Sequence, residues 1–273
     1  MLAQRVATAI VLVVLLGAAL FWLEGAALYA VFCVATLGAA WEWAGIAGIT
    51  GSAGRLRYTF LIAVLCAAAW YSHVEFALAP WLWGVAALWW AYTLWLLRGF
   101  PASIARQRFG RGACLAAGLV MLVPVPLALI AMTEGVAGWA ALAMLFGVVW
   151  GADIGAYFAG RAWGQHKLAP SVSPGKTREG AIGGAVAALL IVVPVAAIWV
   201  PMDAGQWVLF LGLVVLCIAA SIIGDLVESA FKRTAGIKDS GRLLPGHGGV
   251  LDRVDSLLAV APIFALGLSS LLR

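Results

Sequence analysis

Acidic and basic residues are concentrated in residues 229–256, a polar segment in a chain that is otherwise apolar. Carboxylates are preferred ligands of hard cations such as Mg²⁺, and lysine and arginine side chains bind phosphate oxygens. A glycine-rich segment that carries both groups is therefore predicted to bind a metal-bound phosphate compound. Counted with the two acids just before it, its charged residues are Asp225, Glu228, Asp239, Asp252 and Asp255, together with Lys232, Arg233, Lys238, Arg242 and Arg253.

Four of these acids form two pairs with helical spacing. Asp225 and Glu228 are three residues apart, as are Asp252 and Asp255, so each pair lies on one helical face. Two helix ends joined by one loop bring such pairs together as a cage for one or two divalent cations. In the alternative interpretation, Asp252, Asp255 and Ser256 only cap a helix N-terminus. Capping does not explain Asp225, because ionisable groups among the apolar residues of membrane segments are usually functional.

The run PGHGG at positions 245–249 is suited to binding an anion. Gly246, Gly248 and Gly249 let backbone N–H groups approach a phosphate closely, and the helix N-terminus predicted after them attracts negative charge. His247 is predicted to donate to phosphate or to carry a proton. The alternative is a turn that joins two helices and binds nothing. Cationic side chains flank the run and favour phosphate binding: Lys232, Arg233, Lys238 and Arg253.

A second polar loop contains Gly175, Lys176 and Thr177, which superficially resemble part of a P-loop. The full GxxxxGK[ST] pattern is absent, because Pro170 stands where that pattern needs a glycine. Ser173, Lys176 and Thr177 are nevertheless predicted to bind a phosphate or a lipid headgroup. Alternatively, this loop is a solvated segment at the membrane edge.

Two further acids, Asp153 and Glu42, lie inside apolar segments. Each is predicted either to line a polar cavity or to pair structurally, because an isolated charge is costly within a membrane. Asp153 is the better candidate for substrate binding, since it is closer in sequence to a charged loop.

The elements that position these residues are predicted from composition. The chain of 273 residues is 64% hydrophobic and 11% charged, against roughly 25% charged in soluble domains, so an all-α, polytopic membrane protein is expected. The whole chain, residues 1–273, forms one integral membrane domain with active-site loops at 161–179 and 228–251. Pro124 and Pro126 are predicted to kink the fifth span. Because about 20 apolar residues cross a bilayer, nine spans are predicted, at 5–23, 26–46, 57–73, 78–97, 112–132, 137–160, 180–200, 205–227 and 252–271.

The positions of the positive charges predict the orientation. All Lys and Arg residues except Arg273, sixteen of 17, precede span one or lie in alternate connections, whereas the other connections carry only acids. By the positive-inside rule, the N-terminus and both polar loops are cytoplasmic and the C-terminus is periplasmic, in the inner membrane of a bacterium. This topology, and not binding to nucleic acid, explains the net charge of +5. Span one follows Arg5 as a signal peptide would, but without a convincing cleavage site, so it is expected to be retained.

These motifs closely resemble those of the CDP-diacylglycerol synthases, which are also called phosphatidate cytidylyltransferases. The family pattern S-x-x-K-R-x4-K-D-x5-P-G-H-G-G-x-x-D-R-x-D is matched in order from Ser229 to Asp255. Such a long pattern of mixed residue types is very specific, and no departure from it suggests an inactive enzyme. An upstream family pattern is matched by Asp153, Ala156, Tyr157, Gly160, the run KLAP from Lys167 and the run SPGKTREG from Ser173.

The resemblance implies an enzyme that transfers CMP from CTP to phosphatidate, with CDP-diacylglycerol and pyrophosphate as products. It also implies a homodimer, surrounded by membrane lipids. Such a transfer depends mainly on positioning and charge neutralisation, and the anionic lipid phosphate needs no strong general base. The implied roles are binding of one or two Mg²⁺ ions by Asp225, Asp252, Asp255 and Asp239, catalysis or phosphate binding by Lys232, Arg233, Lys238, His247 and Arg253, and substrate binding by Ser229, Gly246, Gly248 and Gly249.

Other functions fit parts of the pattern. A CTP-dependent lipid or polyprenol kinase would transfer the γ-phosphate, and only the family resemblance separates it from a cytidylyltransferase. A secondary transporter of an anionic solute would also span the membrane many times. Transporters usually bind at the bilayer midplane between repeats, whereas here the charges lie at the cytoplasmic rim and no repeat is evident. A CDP-alcohol phosphotransferase would need a DGxxAR run, which is absent.

Overall fold

The computed structural model describes residues 2–98, 110–246 and 248–272, with the side chains of residues 2–6 and 9 left aside. Ten α-helices and two short β-strands lie in these ranges. In chain order they are α1 (Leu2–Trp22), α2 (Gly25–Ile46), α3 (Ser52–Phe76), α4 (Ala79–Arg98), α5 (Arg111–Leu122), α6 (Pro124–Glu134), α7 (Trp139–Trp163), β1 (Lys167–Ala169), β2 (Ser173–Thr177), α8 (Arg178–Trp199), α9 (Ala204–Thr234) and α10 (Leu251–Leu271).

The helices confirm a polytopic, helical membrane protein. Each predicted span coincides with one helix, or with α5 and α6 together for the fifth span. In the described part of the chain, seven of these segments are long and apolar enough to cross a membrane. They are α2, α3, α5 with α6, α7, α8, α9 and α10, whereas α1 and α4 lie outside this set.

The fifth span is divided at the position where a kink was predicted. Helix α5 ends at Leu122, and α6 begins at Pro124 with proline at its first position. A proline removes a backbone donor and is tolerated in the first turn of a helix, so the Val123 position is where the span divides.

The two polar loops are more ordered than the sequence pattern predicted. Helix α9 continues to Thr234, so the loop predicted from residue 228 begins after that residue. Within residues 161–179, strands β1 and β2 form an antiparallel hairpin with Lys167 opposite Thr177. Val172, in the turn of this hairpin, is buried against Leu226 and Ala230 of α9. The hairpin is therefore held against the last turns of α9.

Two pairs of membrane helices pack closely against each other, α7 with α8 and α9 with α10. Helices α7 and α8 cross at small residues: a Cβ atom added to Gly184 would lie 2.5 Å from the Ala152 carbonyl oxygen. Helices α9 and α10 are equally close, because a Cβ at Gly224 would lie 2.7 Å from the Asp255 carbonyl oxygen. Small residues at such crossings are typical of membrane helices, which associate through tight packing.

Candidate active site

A buried lysine connects the two helices that carry most of the acids. Lys232, in the last turns of α9, lies with its Nζ 2.7 Å from Glu228 Oε2 and 2.6 Å from Asp252 Oδ1. Lys232 is only 8% exposed and Glu228 only 1%. Two carboxylates thus share one ammonium group away from water, and this pairing joins α9 to the first turn of α10.

Asp252 also organises the loop between α9 and α10. Its Oδ2 accepts hydrogen bonds from the backbone N–H groups of Gly249, at 3.0 Å, and Ser240, at 3.1 Å. The alternative that Asp252, Asp255 and Ser256 merely cap a helix does not describe this geometry. Helix α10 begins at Leu251, so these residues lie inside it, and the buried Ser256 hydroxyl donates to the Ser221 carbonyl of α9 at 3.0 Å.

Glu42 supports the same loop from α2, and the sequence pattern ranked it below Asp153. The Glu42 side chain is buried, and its Oε2 accepts from Ser240 Oγ at 2.8 Å and from the Leu251 N–H at 2.9 Å. A Cβ at Gly241 would lie 2.2 Å from Glu42 Oε1, so a larger residue there would displace the Glu42 carboxylate. Of the two roles left open for Glu42, structural pairing is the one observed. The available signal was an acid between two tryptophans in an apolar helix.

The glycine run forms a tight turn next to the Asp252 and Glu42 carboxylates. Its ends are joined by a hydrogen bond from the Leu244 N–H to the Gly248 carbonyl, at 3.0 Å. Gly246 and Gly248 have φ angles of 77° and 83°, in the left-handed region that favours glycine. Gly249 is buried beside Glu42. His247, predicted as a phosphate donor or proton carrier, lies outside the described residues.

The second polar loop reaches α9 through an ion pair. Lys176 of β2 pairs directly with Asp225, whose Oδ1 accepts from Ser229 Oγ at 3.2 Å. Thr177 is the N-cap of α8, since its Oγ1 accepts from the Gly180 N–H at 3.1 Å. Ser173 is half-buried on the same strand. The two polar segments therefore meet at Asp225.

A cavity of about 450 Å³ opens beside this ion pair, between α7, α8, α9 and the hairpin. Asp153, Lys176 and Asp225 all line it. The charges of Asp153, Asp225 and Asp255 are close enough to interact. Arg253 lies within electrostatic range of Asp153. Three carboxylates and two cations, Lys176 and Arg253, thus lie within electrostatic range of one another.

The predicted metal ligands do not form one assembled cage. Asp252 faces Lys232, Asp225 faces Lys176, and Asp239 is exposed on the loop. In the ranges described, no three Asp, Glu, His or Cys side chains are placed to hold a metal ion. The donor chemistry still fits Mg²⁺ at Asp225 and Asp255, because neighbouring carboxylates with excess negative charge are the ligands that this ion prefers.

The remaining predicted phosphate ligands are exposed at the end of α9, in the loop after it and at the start of α10. Arg233 and Lys238 are exposed, and Arg233 donates to the Ile237 carbonyl at 3.2 Å. Arg253 is also exposed, in the first turn of α10. All three cations are exposed near the junction of α9 and α10, where a soluble anion can reach them.

Fold and site together define a polytopic membrane protein whose paired carboxylates and cations gather at one end of its helices. Residues 3–271 match the cytidylyltransferase family, and the chain belongs to that family. It is 43% identical over 267 residues to the phosphatidate cytidylyltransferase of Pseudomonas aeruginosa, covering 97% of this chain and 96% of the relative. The corresponding protein of Haemophilus influenzae is 36% identical over 291 residues, covering 97% and 98%. That of Brucella suis is 54% identical over 136 residues, 47% of each chain.

We expect replacement of Glu42 by alanine to release the loop between α9 and α10. Ser240 Oγ and the Leu251 N–H would lose their buried acceptor, which lowers the free energy of unfolding by about 1–3 kcal/mol. Thermal unfolding in detergent measures this loss, and the rate of trypsin cleavage at Lys238 and Arg242 measures exposure of the loop.

Glu24→Ala is the matched control, since it removes an exposed carboxylate that makes no capping hydrogen bond at the other end of α2. If Glu42→Ala and Glu24→Ala unfold at the same temperature and are cleaved at the same rate, Glu42 does not hold the loop.

Proposed function

We infer that this chain is a phosphatidate cytidylyltransferase, which transfers CMP from CTP to phosphatidate and releases pyrophosphate. The match to the cytidylyltransferase family over residues 3–271 carries this inference. Relatives of that name cover nearly the whole chain. The site adds chemistry suited to the reaction, because cations and glycine N–H groups adjoin carboxylates at the end of membrane helices.

The reaction requires charge control more than acid–base catalysis. An oxygen of the lipid phosphate forms a bond to the α-phosphorus of CTP, while the bond from that phosphorus to the oxygen bridging the β-phosphate breaks. The bridging oxygen and the electron pair leave with pyrophosphate. Because the nucleophile is already anionic, the protein mainly positions the groups and neutralises their charge. We assign the neutralising role towards CTP to Arg233, Lys238 and Arg253, with N–H groups of the glycine turn.

We assign Mg²⁺ binding to Asp225 and Asp255, with Asp153 nearby. The ion would neutralise negative charge on the phosphates when it is bound. Asp252 is already held by Lys232 and two loop N–H groups, so its proposed role is to position the loop. Asp239 is exposed on that loop and is proposed to contact a second ion carried by CTP.

The proposed topology has nine spans, with a cytoplasmic N-terminus and active site and a periplasmic C-terminus, in a bacterial inner membrane. Its support is the distribution of Lys and Arg among alternate connections. Association as a homodimer stays a prediction of the family resemblance.

The topology is tested with single cysteines in a variant that lacks the four native ones. Val136, 80% exposed between α6 and α7, is expected to be periplasmic, and exposed Gly51 between α2 and α3 cytoplasmic. A membrane-impermeant thiol reagent added to intact cells should therefore label Val136→Cys and not Gly51→Cys. The opposite labelling would reverse the proposed orientation.

The activity is tested with purified protein in detergent, phosphatidate, Mg²⁺ and CTP labelled on the α-phosphate. Label should enter the lipid with release of pyrophosphate, and Asp255→Asn should slow this transfer about 100-fold or more, because charge stabilisation at the reacting phosphates is lost. Asp203→Asn is the matched control: Asp203 caps α9 at the far end of that helix, and asparagine caps equally well.

Transfer from γ-labelled but not α-labelled CTP would identify a kinase instead. Failure of both transfers in folded protein would contradict the proposed enzyme and favour a transporter. Normal transfer by Asp255→Asn would remove Asp255 from the proposed metal site.

A further inference from the structure

Helix α1 contacts the glycine turn through a threonine. Thr8 of α1 donates a hydrogen bond from its Oγ1 to the Pro245 carbonyl oxygen at 2.9 Å, across 237 positions of the sequence. Thr8 lies just before Ile10–Trp22, the apolar part of α1. Because Thr8 meets the turn, the start of α1 lies at the same end of the helices as the candidate active site.

This hydrogen bond differs from those of other helical threonines in the protein. A threonine inside a helix commonly donates to a carbonyl of the preceding turn of the same helix. Four hydroxyls do so here, those of Thr36, Thr93, Thr133 and Thr234. Their bonds stay within one helix, whereas the Thr8 bond joins α1 to the loop between α9 and α10. Thr8 therefore links two elements that are remote in sequence.

The glycine turn is held at its flanks and at its tip by different groups. Hydrogen bonds from Ser240 and Gly249 to buried or half-buried acids fix the chain on either side of the turn. Thr8 acts at Pro245, near the tip. Pro245 and Gly246 are both exposed, so the tip receives support from α1 at a point where the loop itself leaves it open to water.

The Pro245 carbonyl and the Gly246 N–H belong to the same peptide group. A peptide group is planar, and in its trans form the carbonyl oxygen and the N–H point to opposite sides. A hydrogen bond that fixes the Pro245 oxygen towards α1 therefore directs the Gly246 N–H away from α1. The Thr8 hydroxyl thus sets the direction of a backbone donor in the turn.

The same peptide group has a second orientation open to it. Proline followed by glycine with a φ angle of 77° is the residue pair and the angle of a type II turn. Rotation of the central peptide by roughly half a turn converts type II into type I, and glycine permits both. That rotation would reverse the Gly246 N–H. The hydrogen bond from Thr8 to Pro245 forms only in the first orientation and so stabilises it.

We propose that Thr8 is a positioning residue for CTP, because its hydrogen bond to Pro245 keeps the Gly246 N–H directed at the CTP phosphates. This assignment rests on the proposed function, in which N–H groups of the glycine turn bind the triphosphate. Backbone N–H groups bind an anion when they converge on it. A reversed peptide would remove the Gly246 donor and turn the Pro245 carbonyl, an acceptor, towards the same phosphates. Helix α1 is therefore part of the nucleotide site.

The first test compares Thr8→Val, Thr8→Ser and Thr133→Val in mixed micelles, with CTP and phosphatidate varied separately. Valine has the shape of threonine without the hydroxyl, and serine keeps the hydroxyl. Thr8→Val should raise the KM for CTP about fivefold, as expected for the net loss of one hydrogen bond, and leave the KM for phosphatidate unchanged. Thr8→Ser should retain the wild-type KM for CTP. Thr133→Val, which removes a hydroxyl bonded within α6, should change neither constant.

The second test determines whether Thr8 acts through the Pro245–Gly246 peptide. Gly246→Ala adds a Cβ to a residue with positive φ and so favours the reversed peptide. Binding of labelled CTP to the purified protein, with Mg²⁺ and without phosphatidate, is measured for Thr8→Val, Gly246→Ala and the double variant. Because both changes act on one peptide group, the double variant should bind CTP no more weakly than Gly246→Ala alone.

Gly236→Ala is the matched control for this double variant. Gly236 also has a positive φ angle, 71°, but it follows the end of α9 and lies outside the glycine turn. In the Gly236→Ala background, Thr8→Val should therefore weaken CTP binding by the same factor as it does in the wild type.

The outcomes separate this proposal from the one on which it rests. If wild type is active and Thr8→Val has the wild-type KM for CTP, the positioning role alone is overturned. Equal rises in both KM values, a loss that Thr8→Ser does not restore, or additive losses with Gly246→Ala overturn it as well. Wild type that binds CTP through Thr8 but transfers no CMP overturns the proposed function and leaves a nucleotide site. Wild type that neither binds CTP nor transfers CMP overturns both.

Discussion

The Lys232 ammonium group, buried between Glu228 and Asp252, is the interaction on which the rest of the site depends. Burying two carboxylates around one cation is tolerated only while all three remain paired, because a charge left alone away from water costs several kcal/mol. The pairing therefore fixes the end of α9 against the start of α10. With Asp252 held, its carboxylate can orient the N–H groups of Ser240 and Gly249. Glu42 of α2 accepts hydrogen bonds from Ser240 and Leu251 and so holds the same loop. The glycine turn is therefore supported by two carboxylates, those of Asp252 and Glu42.

The same face of α9, one turn nearer its start, carries the second half of the site. Asp225 is three residues before Glu228, about one helical turn, and it faces Lys176 of the hairpin. The last turns of α9 therefore lie beside both the loop between α9 and α10 and the cavity that Lys176 lines. The loop between α9 and α10 presents exposed cations to water, while the cavity beside Lys176 is apolar along Ile218 and Ile222. This division suits a reaction in which a soluble nucleotide meets a lipid that stays in the membrane.

The sequence predicted the helices well because a membrane leaves the backbone few alternatives: apolar runs must satisfy their own hydrogen bonds. It did not predict the β1–β2 hairpin, whose short polar strands around Pro174 and Gly175 carry no periodic pattern. Residue types in the sequence identified the site, but the residue that each side chain contacts depends on tertiary packing. Asp252, which was predicted to bind metal, pairs with Lys232 in the structure, a partner that the sequence spacing did not indicate. Glu42 acts on residues 198 and 209 positions away, a separation that no local pattern encodes.

The buried triad of Lys232, Glu228 and Asp252 can be tested by removing its charges singly and together. Thermal unfolding in detergent and CMP transfer are measured for each variant. Lys232→Met alone leaves two unpaired carboxylates and should lower the free energy of unfolding by about 3–5 kcal/mol. Adding Glu228→Gln and Asp252→Asn removes those charges, so the triple variant should regain most of the lost stability without regaining CMP transfer. If Lys232→Met unfolds at the wild-type temperature, or if the triple variant is no more stable than Lys232→Met, the triad does not hold α9 and α10 together.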